Sequence, residues 1–273
     1  MIGAIVGDIA GSRFEWHNRK SKRFTFLKDK AESRHPCSFT DDTVMTLAVA
    51  DAILRWQESG GDSYDALSSE AIRQMQAYGR RYPRAGYGGA FRRWLCEDNP
   101  QPYKSWGNGA AMRVSACGWA GRTLDEVKAM SRAVTEVTHN HPEGIKGAEA
   151  TAVATFLART GKSMEEIKAI VARDYYPLDF TLDEIRPTYE FDVSCQGSVP
   201  QALEAFFEST SFEDAIRNAI SIGGDSDTIG AICGAVAGAY YGVPDDIRAQ
   251  AESFLDSFLL ETLNRFEVVF SRS

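Results

Sequence analysis

Two short clusters of acidic and hydroxyl residues stand far apart in the chain, each directly before an apolar segment with helical spacing. The first is Thr40-Asp41-Asp42-Thr43, and the second is Asp225-Ser226-Asp227-Thr228. Carboxylate and hydroxyl oxygens are the ligands that hard cations such as Mg²⁺ and Mn²⁺ prefer. If the two helix starts face each other in the fold, the clusters would hold divalent cations between them.

Helix capping is the alternative explanation for each cluster. Asp, Ser and Thr are the favoured N-caps, and an acidic residue in the first turn also suits the helix dipole. One cap needs only one side chain, whereas each cluster carries two carboxylates that are adjacent or one residue apart. Like charges this close repel unless a cation lies between them. The presence of both clusters therefore favours a metal site.

Two glycine-rich loops indicate a second kind of binding chemistry. Gly86-Tyr87-Gly88-Gly89-Ala90-Phe91 and Gly107-Asn108-Gly109-Ala110-Ala111-Met112-Arg113 both lead into helical sequence. Backbone N–H groups in such loops can approach a phosphate closely, with a helix N-terminus behind them. Most glycine-rich loops are only turns, so each loop alone is weak support for a phosphate site.

Two further segments contain titratable groups that could take part in chemistry. The segment from Gly7 to Glu15 places two acids, Asp8 and Glu15, around a glycine turn. The run Thr138-His139-Asn140-His141-Pro142 could supply a metal ligand, a base or a stacking imidazole. An isolated histidine is more often structural, so a direct metal role is not expected for either histidine.

Bulk composition limits the class of protein. The 273 residues include 44% hydrophobic and 25% charged residues, with a net charge of −8, as in an ordinary soluble globular protein. The acidic balance argues against a nucleic-acid partner. The five cysteines lack CxxC spacing and fit a reducing compartment. Neither a signal peptide nor an apolar run near the ~18 residues of a membrane span is visible, which predicts a cytoplasmic protein without a membrane partner.

Helical patterns dominate the elements that must position these residues. Four segments match the capping box, in which Ser or Thr precedes Glu or Gln by three residues. They begin at Thr123, Ser163, Thr181 and Ser198. In the last segment Pro200 would fall just inside the helix start. Strand alternation is limited to Phe24–Leu27 and Tyr189–Val193, which are too short to build a sheet. The sequence predicts about ten helices in one all-α domain over residues 1–273.

The segment from Ile229 to Tyr241 has an unusual glycine pattern. Gly230, Gly234 and Gly238 lie on one face of the predicted helix. Glycine inside a helix costs roughly 1 kcal/mol relative to alanine. Three on one face therefore predict that the backbone of another element packs closely there. The second acidic cluster directly precedes this segment, so we expect it near the centre of the fold.

Five motifs, in this order along the chain, resemble those of the ADP-ribosylglycohydrolase family. They are Gly7-Asp8 with Glu15, Phe39-Thr40-Asp41-Asp42-Thr43, Gly107-Asn108-Gly109-Ala110-Ala111-Met112-Arg113, Thr138-His139, and Gly224-Asp225-Ser226-Asp227-Thr228-Ile229-Gly230. The resemblance implies an all-α fold, a single-domain orthogonal bundle of many helices that binds two divalent cations, Mg²⁺ or Mn²⁺. It also implies hydrolysis of the glycosidic bond between ADP-ribose and an acceptor.

The resemblance further implies roles for individual residues. Metal ligands are expected at Thr40, Asp41, Asp42, Asp225, Asp227 and Thr228. ADP-ribose is expected to contact Tyr87, Gly88, Gly89, Ala90, Ser105, Trp106, Asn108, Gly109, Met112 and His139. Asp227 is the ligand expected to be shared by both ions. Asp8 is expected to contact the ligand residues without binding a cation itself. Glu15 and Asp42 are the expected catalytic residues, as general acid or base.

The expected partner is an ADP-ribosylated protein or a small ADP-ribose conjugate, with ADP-ribose as the product. Guanidinium is a poor leaving group unless it departs protonated, so an arginine acceptor would require an acid. Arginine is the favoured acceptor, and serine or the acetyl ester of ADP-ribose are alternatives. A non-catalytic ADP-ribose-binding or structural relative and a metal-dependent phosphoesterase are the competing functions.

Overall fold

Helices account for all the regular structure in the residues that the computed structural model describes, namely 1–28, 35–61 and 63–270. The α-helices are α1 (Ile2–Gly11), α2 (Asp41–Glu58), α3 (Tyr64–Arg81), α4 (Gly89–Trp94), α5 (Ser115–Ala120), α6 (Leu124–Glu136), α7 (Pro142–Arg159), α8 (Met164–Asp174), α9 (Leu182–Ile185), α10 (Cys195–Phe207), α11 (Phe212–Ser221), α12 (Ser226–Tyr241), α13 (Asp245–Glu252) and α14 (Ser257–Phe270). A 3₁₀ helix spans Asn108–Ala110. The all-α prediction is confirmed. The predicted number of about ten helices is too low, because one- and two-turn helices such as α4 and α9 carry little periodic signal.

Helices α1 and α12 pack antiparallel at the centre of the fold through facing glycines. A Cβ on Gly3 would lie 2.9 Å from the Cα of Gly238, and a Cβ on Gly230 would lie 2.5 Å from the carbonyl oxygen of Gly7. A Cβ on Gly11 would lie 2.6 Å from the Cα of Asp227. Only glycine permits backbones to approach this closely. The close approach predicted for the glycine face of α12 is confirmed, and its partner is a second glycine face on α1.

The other helices surround this central pair. Helices α7, α10 and α11 pack against α12, while α2 packs against α3, α5 and α14. Every residue of α1 is buried, including Asp8. A helix buried on all sides shows no amphipathic periodicity, which is why the segment from Gly7 to Glu15 resembled a turn in the sequence. The packing of α1 between α2 and α12 brings the two acidic clusters to the same region.

Three of the four predicted N-caps are confirmed. Ser163 and Thr181 form complete capping boxes, with Glu166 and Glu184 as their partners. Thr123 also caps its helix by accepting from the backbone N–H of Glu126 at 3.2 Å. The second hydrogen bond of this capping box is missing, because the Glu126 carboxylate accepts from the N–H of Arg122 and not from that of Thr123. These caps are local interactions, which is why local sequence predicts them.

The fourth N-cap prediction, at Ser198, is wrong. Helix α10 begins at Cys195, and the hydroxyl of Ser194 caps it by accepting from the N–H of Gly197 at 3.0 Å. Ser198 therefore lies in the second turn, and Pro200 lies inside the helix rather than at its start. The Ser198 hydroxyl makes tertiary contacts, donating to the carbonyl of Asp192 at 2.9 Å. Tertiary contacts have displaced the local pattern here.

Neither short strand candidate forms a strand. The described residues contain one isolated antiparallel bridge, between Gly107 and Ser194. The N–H of Asn108 donates to the carbonyl of Val193 at 2.7 Å, and the N–H of Cys195 donates to that of Trp106 at 2.9 Å. This bridge ties together two loops that line the cleft described below. Across the described ranges, each helix is too short or too polar to cross a lipid bilayer.

Candidate active site

The end of α1 and the first turns of α2 and α12 meet beside a cleft. Carboxylate oxygens of Asp8, Asp42 and Asp227 lie within 4.8 Å of one another there. Glu15, Asp225 and Asp227 form a second group that meets the same distance limit. Asp227 belongs to both groups, so its carboxylate lies between two positions at which a cation could be held.

Asp8 anchors the start of α2. Its carboxylate accepts from the backbone N–H groups of Thr40 at 2.9 Å and Thr43 at 3.0 Å. It also accepts from the hydroxyls of the same two threonines. A carboxylate at a helix N-terminus is stabilised by the helix dipole as well as by these bonds. With its oxygens already engaged, Asp8 is suited to orient the cluster on α2 rather than to ligate a cation itself.

Capping explains only part of the two acidic clusters. Thr40 is the N-cap of α2, and its hydroxyl accepts from the N–H of Asp42 at 3.3 Å. Asp225 occupies the N-cap position of α12 but makes no side-chain cap bond. Its carboxylate instead accepts from the side-chain amide of Asn108 at 2.7 Å. The Asp42 and Asp225 carboxylates are therefore not needed to cap either helix.

The chemistry of this donor set fits a divalent cation. Asp42 Oδ2 accepts from the Thr228 hydroxyl at 3.2 Å, whereas Asp42 Oδ1 is buried without a hydrogen-bond donor among the described residues. Burial and the neighbouring acids raise the pKa values of Asp42 and Asp227 well above their usual range. Burial, followed by the charge of Asp8, raises the pKa of Asp41 to about 7. Buried, crowded carboxylates with an unpartnered oxygen are what a hard cation would neutralise.

Glycines allow the acidic side chains to approach the surrounding loops. Gly86 has a φ of +120°, and a Cβ there would lie 2.8 Å from Asp41 Oδ1. Gly223 and Gly224 both have positive φ in the turn that precedes α12. The N–H of Gly224 donates to the side chain of Asn18 at 3.1 Å. Left-handed backbone of this kind favours glycine, so these residues fix how each cluster enters its helix.

Carboxylates of both clusters line a cleft of about 390 Å³, a volume in the usual range for small-molecule sites. The predicted residues that line it are Glu15, Asp41, Asp42, Gly88, Gly89, Ala90, Ser105, Asn108, Gly109, Met112, His139, Asp225, Asp227 and Thr228. Sequence positions separated by more than 200 residues therefore meet in one cleft.

Three predicted residues do not line the cleft. Thr40 lies behind it, where its hydroxyl donates to Asp8 at 2.7 Å. Tyr87 is buried beneath the glycine loop, with its ring 5.6 Å from that of Phe91. Trp106 is 53% exposed and packs edge-on against His141. Asn108 lines the cleft, but its amide is engaged by Asp225 and Ser198. The metal role of Thr40 and the substrate roles of Tyr87, Trp106 and Asn108 stay predictions.

Several lining residues were missed in the sequence. Trp16, Tyr103, Phe191 and Val193 all line the cleft. Trp16 and Phe191 are stacked, with ring centroids 5.1 Å apart and an interplanar angle of 23°. Phe191 lies in the segment that resembled a short strand, and no local spacing relates it to Trp16. Their exposure as large aromatic side chains, 73% for Trp16 and 44% for Phe191, becomes visible only in the fold.

Glu15 lies at the wall of the cleft, near the second carboxylate group. Burial raises its pKa to about 7, and the negative charges of Asp225 and Asp8 add to that effect. A carboxyl group that is partly protonated near neutral pH can donate or accept a proton. Of the segment between Phe14 and Pro36 that carries Glu15, residues 29–34 lie outside the described residues.

Comparisons with known proteins identify the family of this chain. A family model described as ADP-ribosylglycohydrolase matches residues 1–269. The chain is 28% identical to the human ADP-ribosylhydrolase ARH3, an alignment that covers all of this chain and 93% of the relative. It is 26% identical to the ADP-ribosylarginine hydrolase Tri1 of Pseudomonas putida, covering 89% of this chain and 70% of that one.

The fold is also similar to a solved structure. A chain described as an ADP-ribosylglycohydrolase-related protein complex superposes with a TM-score of 0.68 at 25% identity, over 97% of this chain and 95% of the other. The family match extends over nearly the whole chain. The protein therefore belongs to the ADP-ribosylglycohydrolase family, whose members are enzymes that hydrolyse glycosidic bonds.

Proposed function

We propose that this enzyme releases ADP-ribose from ADP-ribosylated arginine, in a protein or a small conjugate, with the help of two divalent cations. The observation that carries the proposal is the pair of carboxylate groups that share Asp227, a residue that lines the cleft. Both glycine loops also line the cleft, where their backbone N–H groups suit a diphosphate. An acidic enzyme can bind an anionic substrate in this way.

The cations would be held by Thr40, Asp41 and Asp42 from the start of α2 and by Asp225, Asp227 and Thr228 from the start of α12. When bound, they would lower the pKa of a water molecule and draw electron density from the ribose hydroxyls. An all-oxygen ligand set suits both Mg²⁺ and Mn²⁺. Asp8 would keep the α2 cluster in place through its four hydrogen bonds.

Glu15 and Asp42 are the proposed proton-transfer groups. Cleavage at the anomeric carbon passes through an oxocarbenium-like state, so the leaving group needs a proton and the attacking water must lose one. Glu15, with its pKa near 7 in the cleft wall, donates to the leaving nitrogen. The Asp42 carboxylate, which lines the cleft, accepts the proton of the attacking water.

One feature of the cleft favours arginine as the acceptor. An acid such as Glu15 would protonate a leaving guanidine, but it would serve a serine oxygen equally well. The stacked rings of Trp16 and Phe191 line the same cleft, and aromatic faces stack well on the flat guanidinium. The name of the Pseudomonas putida relative, an ADP-ribosylarginine hydrolase, points the same way.

We also infer a cytoplasmic location, because all five cysteines are unpaired and fit a reducing compartment.

The acceptor is tested with a panel of arginine-, serine- and acetyl-linked ADP-ribose, each assayed with Mg²⁺ and with Mn²⁺. We expect the highest kcat/KM on the arginine conjugate. Faster release from the serine or acetyl conjugate would overturn the arginine proposal. Binding of ADP-ribose without turnover of any conjugate would support a non-catalytic role, and AMP or inorganic phosphate as the product would support a phosphoesterase.

A further inference from the structure

Arg113, at the end of the second glycine loop, is a buried cation without an acidic partner. It is 1% exposed, and among the described residues no carboxylate lies within ion-pair distance of its guanidinium. Its Nη2 donates to the hydroxyl of Thr138 at 2.6 Å, and its guanidinium lies 5.6 Å from the ring centre of Phe91. Burying an unpaired charge is costly. The hydrogen bond from the Arg113 guanidinium to Thr138 therefore indicates that this buried charge has a role.

The direction of each hydrogen bond around Thr138 can be assigned. An arginine only donates, so the Thr138 oxygen accepts from Arg113. The hydroxyl proton then has two neighbours, the Nδ1 of His139 at 2.7 Å and the carbonyl of Thr135 at 3.4 Å. That carbonyl already accepts from the backbone N–H groups of Thr138 at 3.1 Å and His139 at 2.9 Å. The hydroxyl therefore donates to Nδ1, which must be unprotonated.

This assignment places the imidazole proton on the other nitrogen. A neutral histidine that accepts at Nδ1 carries its proton on Nε2. Burial, together with the charge of Arg113, lowers the pKa of His139 well below its usual range, so the ring stays neutral. Nε2 lies against the second glycine loop, because Cβ atoms built on Gly107 and Gly109 would be 3.6 Å and 3.4 Å away. His139 lines the cleft, so Nε2–H is a donor available there.

We infer that Arg113 and Thr138 are positioning residues that fix His139 as the Nε2–H tautomer, a permanent hydrogen-bond donor toward a ligand oxygen at the second glycine loop. The identity of that ligand as ADP-ribose rests on the proposed function, whereas the tautomer does not. Without the hydrogen bonds from Arg113 to Thr138 and from Thr138 to His139, a neutral imidazole is free to place its proton on either nitrogen. A lone pair at Nε2 would then repel a ligand oxygen instead of binding it.

The tautomer is tested by NMR on protein labelled with ¹⁵N-histidine at neutral pH. The chain has four histidines, and the spectrum of a His139→Gln variant assigns the signal. We expect a protonated Nε2 and an unprotonated Nδ1 in the parent protein and in Thr138→Ser, which keeps the hydroxyl. Thr138→Val should populate the Nδ1–H form. A protonated Nδ1 in the parent, or an unchanged tautomer in Thr138→Val, would overturn the inference.

Affinity for ADP-ribose, measured by calorimetry, provides the second readout. Thr138→Val should raise Kd by about three- to tenfold, the worth of one hydrogen bond, while Thr138→Ser should restore it. Thr155→Val is the matched control, since Thr155 is equally buried and its hydroxyl donates only to Thr151 within α7. An equal loss in Thr155→Val would indicate general destabilisation and overturn the inference. If the parent protein fails to bind ADP-ribose, the proposed function fails while the tautomer result stands by itself.

Discussion

Replacing Asp227 by asparagine should make the protein more stable than the parent without metal and less stable than the parent with metal. The Asp227 carboxylate is 4% exposed and lies within 4.8 Å of acids in both groups. The hydrogen bond it accepts is from the N–H of Thr228, the next residue in its own helix, at 3.0 Å. In the metal-free protein this charge is a source of repulsion, and asparagine keeps the shape of the side chain without the charge.

The size of the effect follows from Coulomb's law. At 4.8 Å and an effective dielectric constant of about 20, two like charges repel by about 3 kcal/mol. Partial protonation of the crowded acids reduces this, so we expect Asp227→Asn to stabilise the metal-free protein by about 1–3 kcal/mol. For a domain of this size each kcal/mol raises Tm by about 2–4 °C.

Metal should reverse that ranking. A cation at one hundred times its Kd stabilises the folded state by about 2.7 kcal/mol per site, and the variant has lost the carboxylate that both sites share. Thermal unfolding in EDTA and in saturating Mn²⁺ measures both states. We expect the variant to have the higher Tm in EDTA and the parent protein to have the higher Tm in Mn²⁺.

Asp51→Asn is the control for this experiment. Asp51 is another buried acid, 3% exposed, but it is paired with Arg55 at 3.1 Å and with Arg265 at 3.5 Å. Its replacement should lower Tm in both conditions and leave the gain from metal unchanged. A lower Tm for Asp227→Asn in EDTA, or a full gain from Mn²⁺ in that variant, would refute the reasoning.

Three further predictions concern the acid, the pH response and the glycine contact. Glu15→Gln should lower kcat while leaving the Kd for ADP-ribose nearly unchanged; a raised Kd with unchanged kcat would make Glu15 a binding residue. Burial raises the pKa values of Glu15 and Asp41 to about 7, whereas unfolded carboxyl groups titrate near pH 4. The folded metal-free protein therefore binds protons more tightly, and its Tm should fall as pH rises from about 5 to about 8; a rising Tm in EDTA would contradict this, and Mn²⁺ should abolish the slope. A Cβ on Gly7 would lie 2.8 Å from the N of Ala231, whereas one on Gly88 would meet nothing within 4 Å. Gly7→Ala should therefore cost about 3 kcal/mol or prevent folding and Gly88→Ala should not alter Tm; similar melting of the two variants would show that the α1–α12 contact can adjust.

The features that local sequence predicts are those that local forces create. The caps at Ser163 and Thr181 satisfy backbone groups within one helical turn, so their pattern is sufficient. The close contact at the glycine face of α12 can also be predicted from sequence, because glycines inside a helix destabilise that helix by themselves. The spacing of Asp225 and Asp227 likewise predicts that carboxylates crowd together, which the structure shows, and the cation they would hold stays a prediction.

Other features depend on contacts between distant segments. The partner of the α12 glycine face, on α1, was overlooked although Gly3, Gly7 and Gly11 repeat at the same spacing. The stacking of Trp16 on Phe191 joins loops with no shared pattern. The start of α10 was misplaced because the Ser198 hydroxyl contacts Asn108 and Asp192 instead of capping. Such contacts are fixed only when the helices pack.

Metal-dependent release of ADP-ribose is measured by separating the products of an ADP-ribosyl-arginine conjugate. The protein is stripped of metal with EDTA, dialysed, and assayed by liquid chromatography and mass spectrometry before and after Mn²⁺ is restored. We predict free ADP-ribose and regenerated arginine only after Mn²⁺ is added, and neither product with Asp227→Asn. Equal release by the stripped protein, or AMP as the nucleotide product, would contradict the account.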